Sequence, residues 1–187
     1  MVYLDNWALK AKQMGYRSRA VFKLEEIFNK TRTNSFKYVL DLGSSPGAWS
    51  QFILKKNSNA NVFALDILDM EPIEGVKFFK QDIEQIYNIP QIFKLKGNFN
   101  LVISDIAPNL SGIKLIDNNN IFDLNKLTID IASDFLCRDG TLIMKTFQNN
   151  FLKTLRKDME LSFKIVQTYK PAASKKKSGE IYLYGEK

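Results

Sequence analysis

The chain contains no histidine, and Cys137 is its only cysteine. Those absences remove imidazole acid–base catalysis, His-rich metal sites, an intramolecular disulfide and a cysteine-built zinc centre. A general base must then be Lys, Asp, Glu or Tyr, and no metal site is expected. No apolar run approaches the roughly 20 residues that cross a bilayer. The opening Met1-Val-Tyr-Leu-Asp-Asn-Trp7 resembles neither a signal peptide nor an Arg-rich transit peptide. The expectation is an intracellular protein, cytoplasmic or organellar (mitochondrial), with no membrane partner. Acidic residues are in deficit too: 20 Asp and Glu against 27 Lys and Arg leave a net charge of +7. Such a surplus attracts polyanions, nucleic acid first. Solubility alone is the plainer alternative.

What remains is an ordinary globular composition, 45% apolar and 25% charged. A chain of 187 residues fits one domain and buries about 70% of its extended surface, enough for a core without staples. Residues 5–30 carry a helical apolar spacing broken at Gly15, with Ala20, Leu24, Ile27 and Phe28 on one face. Short apolar runs then recur at 38–41, 61–66, 76–80, 99–105, 140–145, 163–168 and 180–184, with helical patterns around Trp49–Ile53, 122–136 and 151–159. The polar stretch with Asn118, Asn119 and Asn120 reads as a solvated loop, and Lys170–Gly179 as a basic, mobile linker. Strands alternating with helices predict an α/β fold: a mainly parallel central sheet of about seven strands with helices on both faces.

In such a sheet, ligands bind beyond the carboxyl ends of the strands. Asp41, Asp66, Asp82 and Asp105 fall at or just after successive strand ends, which predicts four carboxylates along one rim. Asp also caps helix starts, so a single one would say little. Asp41-Leu-Gly-Ser-Ser-Pro-Gly-Ala-Trp-Ser-Gln51 is a turn between strand and helix. Gly43 and Gly47 would let a ligand approach its backbone, and Pro46 suits a first helical turn. The turn lacks Gly-Lys-Ser/Thr, against a nucleoside triphosphate, and is not a full G-x-G-x-x-G, against a dinucleotide. Asp66 suits ribose hydroxyls and Asp82 an exocyclic adenine amine. An adenosine-containing cofactor without phosphates, S-adenosyl-L-methionine, fits best.

Lys23, Asp105, Lys145 and Glu180 each sit at the working end of a predicted element, and Lys145 ends an apolar strand. A lysine surrounded by cations and apolar groups can act as a base once its charge is disfavoured. Methyl transfer to a ribose hydroxyl needs such a base and an in-line approach. One lysine among so many cations is otherwise a solvated surface charge.

Arg17-Ser-Arg-Ala-Val-Phe-Lys23-Leu, Asp41-Leu-Gly-Ser-Ser-Pro-Gly-Ala-Trp-Ser-Gln51, Ser104-Asp-Ile-Ala-Pro-Asn-Leu-Ser-Gly112 and Lys145-Thr-Phe-Gln148 together resemble the FtsJ (RrmJ) family. That family comprises S-adenosylmethionine-dependent ribose 2′-O-methyltransferases, and the likeness runs from about Asn6 to Gly185. It implies one Rossmann-like methyltransferase domain over 1–187, with 1–30 as a helical extension serving RNA binding and catalysis. It implies Lys23, Asp105, Lys145 and Glu180 as a catalytic tetrad in which Lys145 accepts the proton. Cofactor contacts are implied for Gly47, Trp49, Asp66, Asp82 and Asp105, with Gly43, Ser44 and Pro46 completing the loop.

The Ala107-Pro-Asn-Leu-Ser-Gly112 version resembles the branch that modifies a uridine of large-subunit ribosomal RNA. Partners are then ribosomal RNA or the large ribosomal subunit, with the chain a monomer. Arg17, Arg19, Lys10, Lys12, Lys170 and the Lys175, Lys176, Lys177 run would frame the active-site mouth for RNA. Lysines fill the place where family members are usually Ser/Arg-rich. Tyr16 and Phe22 are either base-stacking surfaces or core. The alternatives are the same chemistry on tRNA or an RNA cap, an inactive RNA-binding module, or a nicotinamide-dependent oxidoreductase.

Overall fold

In a computed structural model, residues 6–33, 36–109, 111–174 and 178–187 are described. Chain order is α1 Asn6–Gln13, α2 Val21–Thr31, β1 Tyr38–Leu42, α3 Ala48–Lys56, β2 Asn61–Asp66 and β3 Val76–Lys80. A short 3-10 helix Ile83–Asn88 and α4 Pro90–Phe93 lead to β4 Phe99–Ser104. Then follow α5 Lys114–Phe135, β5 Leu136–Phe147, α6 Leu152–Glu160, β6 Ile165–Tyr169 and β7 Glu180–Glu186. The seven strands form one sheet in the order β3-β2-β1-β4-β5-β7-β6. β1 through β5 pair in parallel, while β7 runs antiparallel to both β5 and β6. The expected α/β sheet is therefore present, with an antiparallel edge.

Alternation along the strands decides which helix covers which face. Leu40, Leu42, Val102, Leu142 and Met144 pack with α5 and α6 through Ile129, Phe135, Leu155 and Met159. Val39, Leu101, Ile103, Ile143 and Tyr182 face the other way, against Leu24, Ile27 and Phe52 of α2 and α3. Both faces are covered, which is why the central strands read as unbroken apolar runs. Phe22 is a core residue of the second layer. Tyr16 is half-buried, with the Lys55 ammonium 4.0 Å from its ring centre.

Three expectations are corrected. The Asn118–Asn120 stretch is helical, inside the first two turns of α5. Asn costs less than about 0.7 kcal/mol per helical site, so a long helix anchored by Ile121 and Ile129 carries a polar start easily. Pro46 lies ahead of α3, whose N-cap is Gly47 at φ 105°. The described part of the 170–179 linker is docked: the Ala172 N–H donates to Glu26 at 2.7 Å, and Ala173 is core.

The chain runs outward from β1 to β3 and then returns to β4 beside β1. This reversal opens a crevice between the carboxyl ends of β1 and β4, where the two following loops diverge. Phe99 anchors the strand on the return side, its ring against those of Phe63 and Phe135 at 5.7 and 6.0 Å. Phe99→Ala is expected to cost about 3–5 kcal/mol, read as a lower urea midpoint with unchanged slope.

Candidate active site

The residues after α1 are fastened to the loop after β1 by that loop's own motif. The Trp49 indole N–H donates to the Ala20 carbonyl at 2.8 Å. The Gln51 amide oxygen accepts from the Arg17 N–H at 3.0 Å, and its nitrogen donates to the Gly15 carbonyl at 3.2 Å. Between them, the Ser50 hydroxyl donates to Asp41 at 2.7 Å. Three consecutive side chains thus fix α2 over the sheet and the carboxylate beneath it.

α2 then delivers Lys23, which is 7% exposed, against the first residue of β7. Its ammonium lies 2.8 and 2.9 Å from the two oxygens of Glu180. The Ser174 hydroxyl donates to the first of these oxygens at 2.8 Å. Burial pushes the Glu180 carboxyl up, but the Lys23 hydrogen bond and charge, Ser174 and Lys145 outweigh it and hold the group below its usual range.

Lys145 near the end of β5 lies opposite Tyr182 of β7, while Phe147 lies opposite Glu180. The Lys145 ammonium donates to the Asp105 main-chain carbonyl and sits 3.2 Å from its carboxylate. The Tyr182 hydroxyl donates to that same carboxylate at 2.9 Å. Burial first, then the neighbouring carboxylates Asp105 and Glu180, raise the Tyr182 hydroxyl well above its ordinary value. It is a neutral hydrogen-bond donor at any physiological pH. Lys23, Asp105, Lys145 and Glu180 are thus gathered in one place, and Tyr182 ties the two ion pairs together. The Lys23 ammonium lies 5.8 Å from the Tyr182 ring centre. Tyr182 shares a strand face with Glu180 through period-two spacing, a signal present in the sequence; nothing in the sequence marked Ser174.

The loop after β1 meets that cluster from the other side. Gly43 has φ 71°, and a Cβ there would come within 2.2 Å of Ile106; at Gly47 one would come within 2.5 Å of Ile73. Asp41, Gly43, Ser44, Pro46, Trp49 and Asp105 line a small cavity of about 30 Å³, the share of one liquid water. Two buried polar atoms there, Asp41 Oδ1 and Ser44 Oγ, have no hydrogen-bond partner. Buried polar groups are normally paired, so the cavity suits a polar ligand group.

Asp66 ends β2 with both oxygens engaged, accepting from the Ser45 and Leu68 N–H groups, each at 2.8 Å. Each oxygen keeps a lone pair for a hydroxyl. Asp82 is exposed and caps the 3-10 helix through the Glu84 N–H at 3.0 Å. Its other oxygen is available to an amine. Ile67 and Leu68, both 61% exposed, add apolar surface between them that sequence reasoning overlooked.

Two expectations shift. Asp41 is under the rim, 1% exposed, rather than on it. Arg17 spends its guanidinium on main-chain carbonyls, donating to Pro46, Glu71 and Pro72 at 3.0, 2.5 and 2.9 Å. It closes the loop after β2 over Gly47, so those donors are committed within the chain rather than to RNA. Arg19 is half-buried. Lys175, Lys176 and Lys177 lie outside the described residues.

Burial chiefly, with Asp105 and Asp66 adding repulsion against the relief from Ser50, pushes the Asp41 carboxyl up to about 7. A raised carboxyl binds its proton more tightly when folded, so stability falls as pH rises from about 4 to about 7 and then levels. Asp41→Asn keeps an acceptor for Ser50 and lacks the ionisation. The ligand-free variant should gain roughly 3 kcal/mol on wild type between pH 5 and pH 8, on the order of 1.4 kcal/mol for each of the two pH units between pH 5 and the folded value of about 7. Thermal melts at the two pH values test this, and a parallel fall in both proteins would refute it.

The FtsJ-like methyltransferase family model matches residues 16–187. A ribosomal RNA large subunit methyltransferase E of Dechloromonas aromatica is 39% identical over 185 residues, covering 97% of this chain and 90% of the relative. The protein of the same name from Ehrlichia chaffeensis is 41% identical over 186 residues, covering 97% and 87%. A crystal structure described as that of a ribosomal RNA methyltransferase from Plasmodium falciparum aligns with TM-score 0.80 at 30% identity, covering 91% of this chain and 97% of that one. With nearly its whole length matched at these identities, the chain belongs to the FtsJ-like methyltransferase family.

Proposed function

We propose that this protein transfers a methyl group from S-adenosylmethionine to the 2′-hydroxyl of a ribose, a uridine's, in large-subunit ribosomal RNA. The observation that carries the reading is the Lys145–Asp105 contact at 3.2 Å, set beside the glycine loop and backed by Lys23 and Glu180. The names of the relatives support the substrate. All four tetrad side chains come from one chain, which accords with a single domain acting as a monomer.

S-adenosylmethionine supplies a methyl carbon on a positively charged sulfur, open to in-line attack. The chain's residues hold it: Asp41 and Ser44 offer unpaired acceptors in the small cavity, Asp66 faces the ribose hydroxyls and Asp82 the adenine amine. Gly43 and Gly47 let Ile106 and Ile73 pack against the loop where a Cβ would collide, which holds the turn in place beside the cavity. Trp49 lines the cavity while its N–H holds Ala20.

On the other side of Asp105, Lys145 acts as the neutral amine, whose lone pair takes the proton of the attacking hydroxyl. Asp105 fixes the lysine through its carboxylate and its main-chain carbonyl. Lys23 and Glu180 hold the ribose against it. With no histidine in the chain, no imidazole competes for the role. Lys145→Ala is expected to slow methyl transfer roughly 10²–10⁴-fold with cofactor affinity nearly unchanged, measured by single-turnover assay and calorimetry. Near-normal turnover would sink the assignment. Asp105→Ala should reduce both rate and cofactor affinity, because its carboxylate meets both halves of the site.

Affinity for RNA is assigned to the positive charge of Lys10, Lys12, Arg19, Lys170 and the Lys175–Lys177 run. Such contacts position the polyanion without reading bases. Neutralising Lys175, Lys176 and Lys177 together should lower the salt slope of single-strand binding by up to about 0.7 per lost contact, with cofactor affinity unchanged. An unaltered slope would make that run a solvated linker. Mapping the methylated ribose after incubation with total RNA tests the substrate itself.

A further inference from the structure

A larger cavity, about 370 Å³, opens beyond the tetrad. Its lining begins two residues past Lys145, with Phe147 and Gln148, and one residue before Glu180, at Gly179. The far wall is the start of α5, with Lys114, Asp117 and Asn118. The size falls within the range of small-molecule pockets, and none of the cofactor residues lines it.

Among the described residues, the wall is built and nearly neutral. The Asp117 carboxylate accepts from the Ser111 N–H and hydroxyl, both at 2.7 Å, and from the Gly112 N–H at 3.1 Å. It braces the loop rather than offering itself to a ligand. Among the described residues, Lys114 is the cavity's one cation, balanced by that carboxylate. A phosphate groove would need more positive charge. Instead the side chains are amides, Asn118, Gln148 and Asn150, around the half-buried ring of Phe147. An amide presents both a donor and an acceptor. That matches the alternating acceptors and N–H of a pyrimidine edge, while an aromatic ring offers a face for stacking.

Position adds the second half of the argument. In-line transfer puts the leaving sulfur, the methyl carbon and the attacking oxygen on one line. The glycine loop is at β1, Asp105 follows β4 and Lys145 is on β5, so that line runs along the rim from β1 toward β5. The nucleoside bearing the oxygen extends further the same way, to the ends of β5 and β7, where this cavity lies. Resting on the ribose-methyltransferase reading above, we infer that the Phe147–Asn150/α5 cavity receives the base of the methylated nucleotide, with Gln148 and Asn150 as its specificity-determining contacts.

The test uses an RNA oligonucleotide spanning the mapped ribose, with either uracil or no base on that sugar. Wild-type enzyme should lose about tenfold or more in kcat/KM on the abasic RNA, the scale of one or two hydrogen bonds and a stack. The Gln148→Ala/Asn150→Ala variant should fall similarly on the uracil RNA, match wild type on the abasic RNA, and bind S-adenosylmethionine unchanged. Both side chains are exposed, so folding is spared. Equal wild-type rates on the two RNAs overturn the inference without any variant. So does a variant that keeps full discrimination, or one that loses equally on both. No methylated ribose from wild-type enzyme on any large-subunit RNA would instead sink the reading underneath, and the pocket assignment with it.

Discussion

The Lys23–Glu180 pair joins two points 157 residues apart in the chain, and the active-site half of the molecule hangs on it. A buried ion pair is a poor source of stability, because desolvating two charges costs several kcal/mol that their attraction only partly returns. Its value here is positional. Removing either partner would strand the other charge in a nearly dry site. The pair therefore fixes α2 on the last strand as long as the rest of the core holds. Ser174 adds a third contact, which helps dock residues 172–174 against the rest of the fold.

From that pair, constraints propagate inward. Tyr182 lies two residues beyond Glu180 and reaches Asp105, which in turn holds Lys145. The Trp49 ring packs 5.9 Å from the Tyr182 ring and its N–H secures Ala20, returning to the start of α2. The loop is closed: helix, last strand, central strand, glycine turn and helix again. Apart from the short chain steps from Glu180 to Tyr182 and from Ala20 to Lys23, each link is a hydrogen bond, ion pair or ring contact between elements distant in sequence. A side-chain cluster is held in a fixed geometry more securely by such a closed frame than by a loop.

Opposing demands meet at the β1 end of this frame. Asp41 is buried beneath the glycine turn with one oxygen unpaired, and its neutral form is favoured up to about pH 7. That arrangement is unfavourable for the empty fold. A cationic or hydrogen-bonding ligand group would relieve it, so the cost of the site in its empty state becomes part of its affinity when filled. Arg17 works in the same direction by drawing the loop after β2 over Gly47.

Much of this was legible in residues 38–105 and at Lys145. Apolar runs of strand length ending in Asp, separated by helical spacing, specify a parallel sheet and one functional rim because periodicity is local. Lys23, Asp105, Lys145 and Glu180 could be picked out along the chain since each sits in a short distinctive segment, and the fold brings the four side chains together. Sequence pattern misjudged what depends on neighbours. The Asn118–Asn120 run looks like a loop by composition, but a helix needs only its own backbone bonds and one buried face, which Ile121 and Ile129 provide. Arg17 looks like an RNA contact until Pro46, Glu71 and Pro72 present their carbonyls to it. Asp41 and Asp66 end similar strands and both are buried, yet Asp41 takes the Ser50 hydroxyl and keeps one oxygen unpaired while Asp66 accepts from two main-chain N–H groups. Composition and periodicity determined the class of fold, the exclusion of imidazole chemistry and the sheet edge along which the strand-end carboxylates fall. Only tertiary packing decided which carboxylate is dry, which cation is committed and where the second cavity opens, because burial and partners are properties of elements brought together from far along the chain.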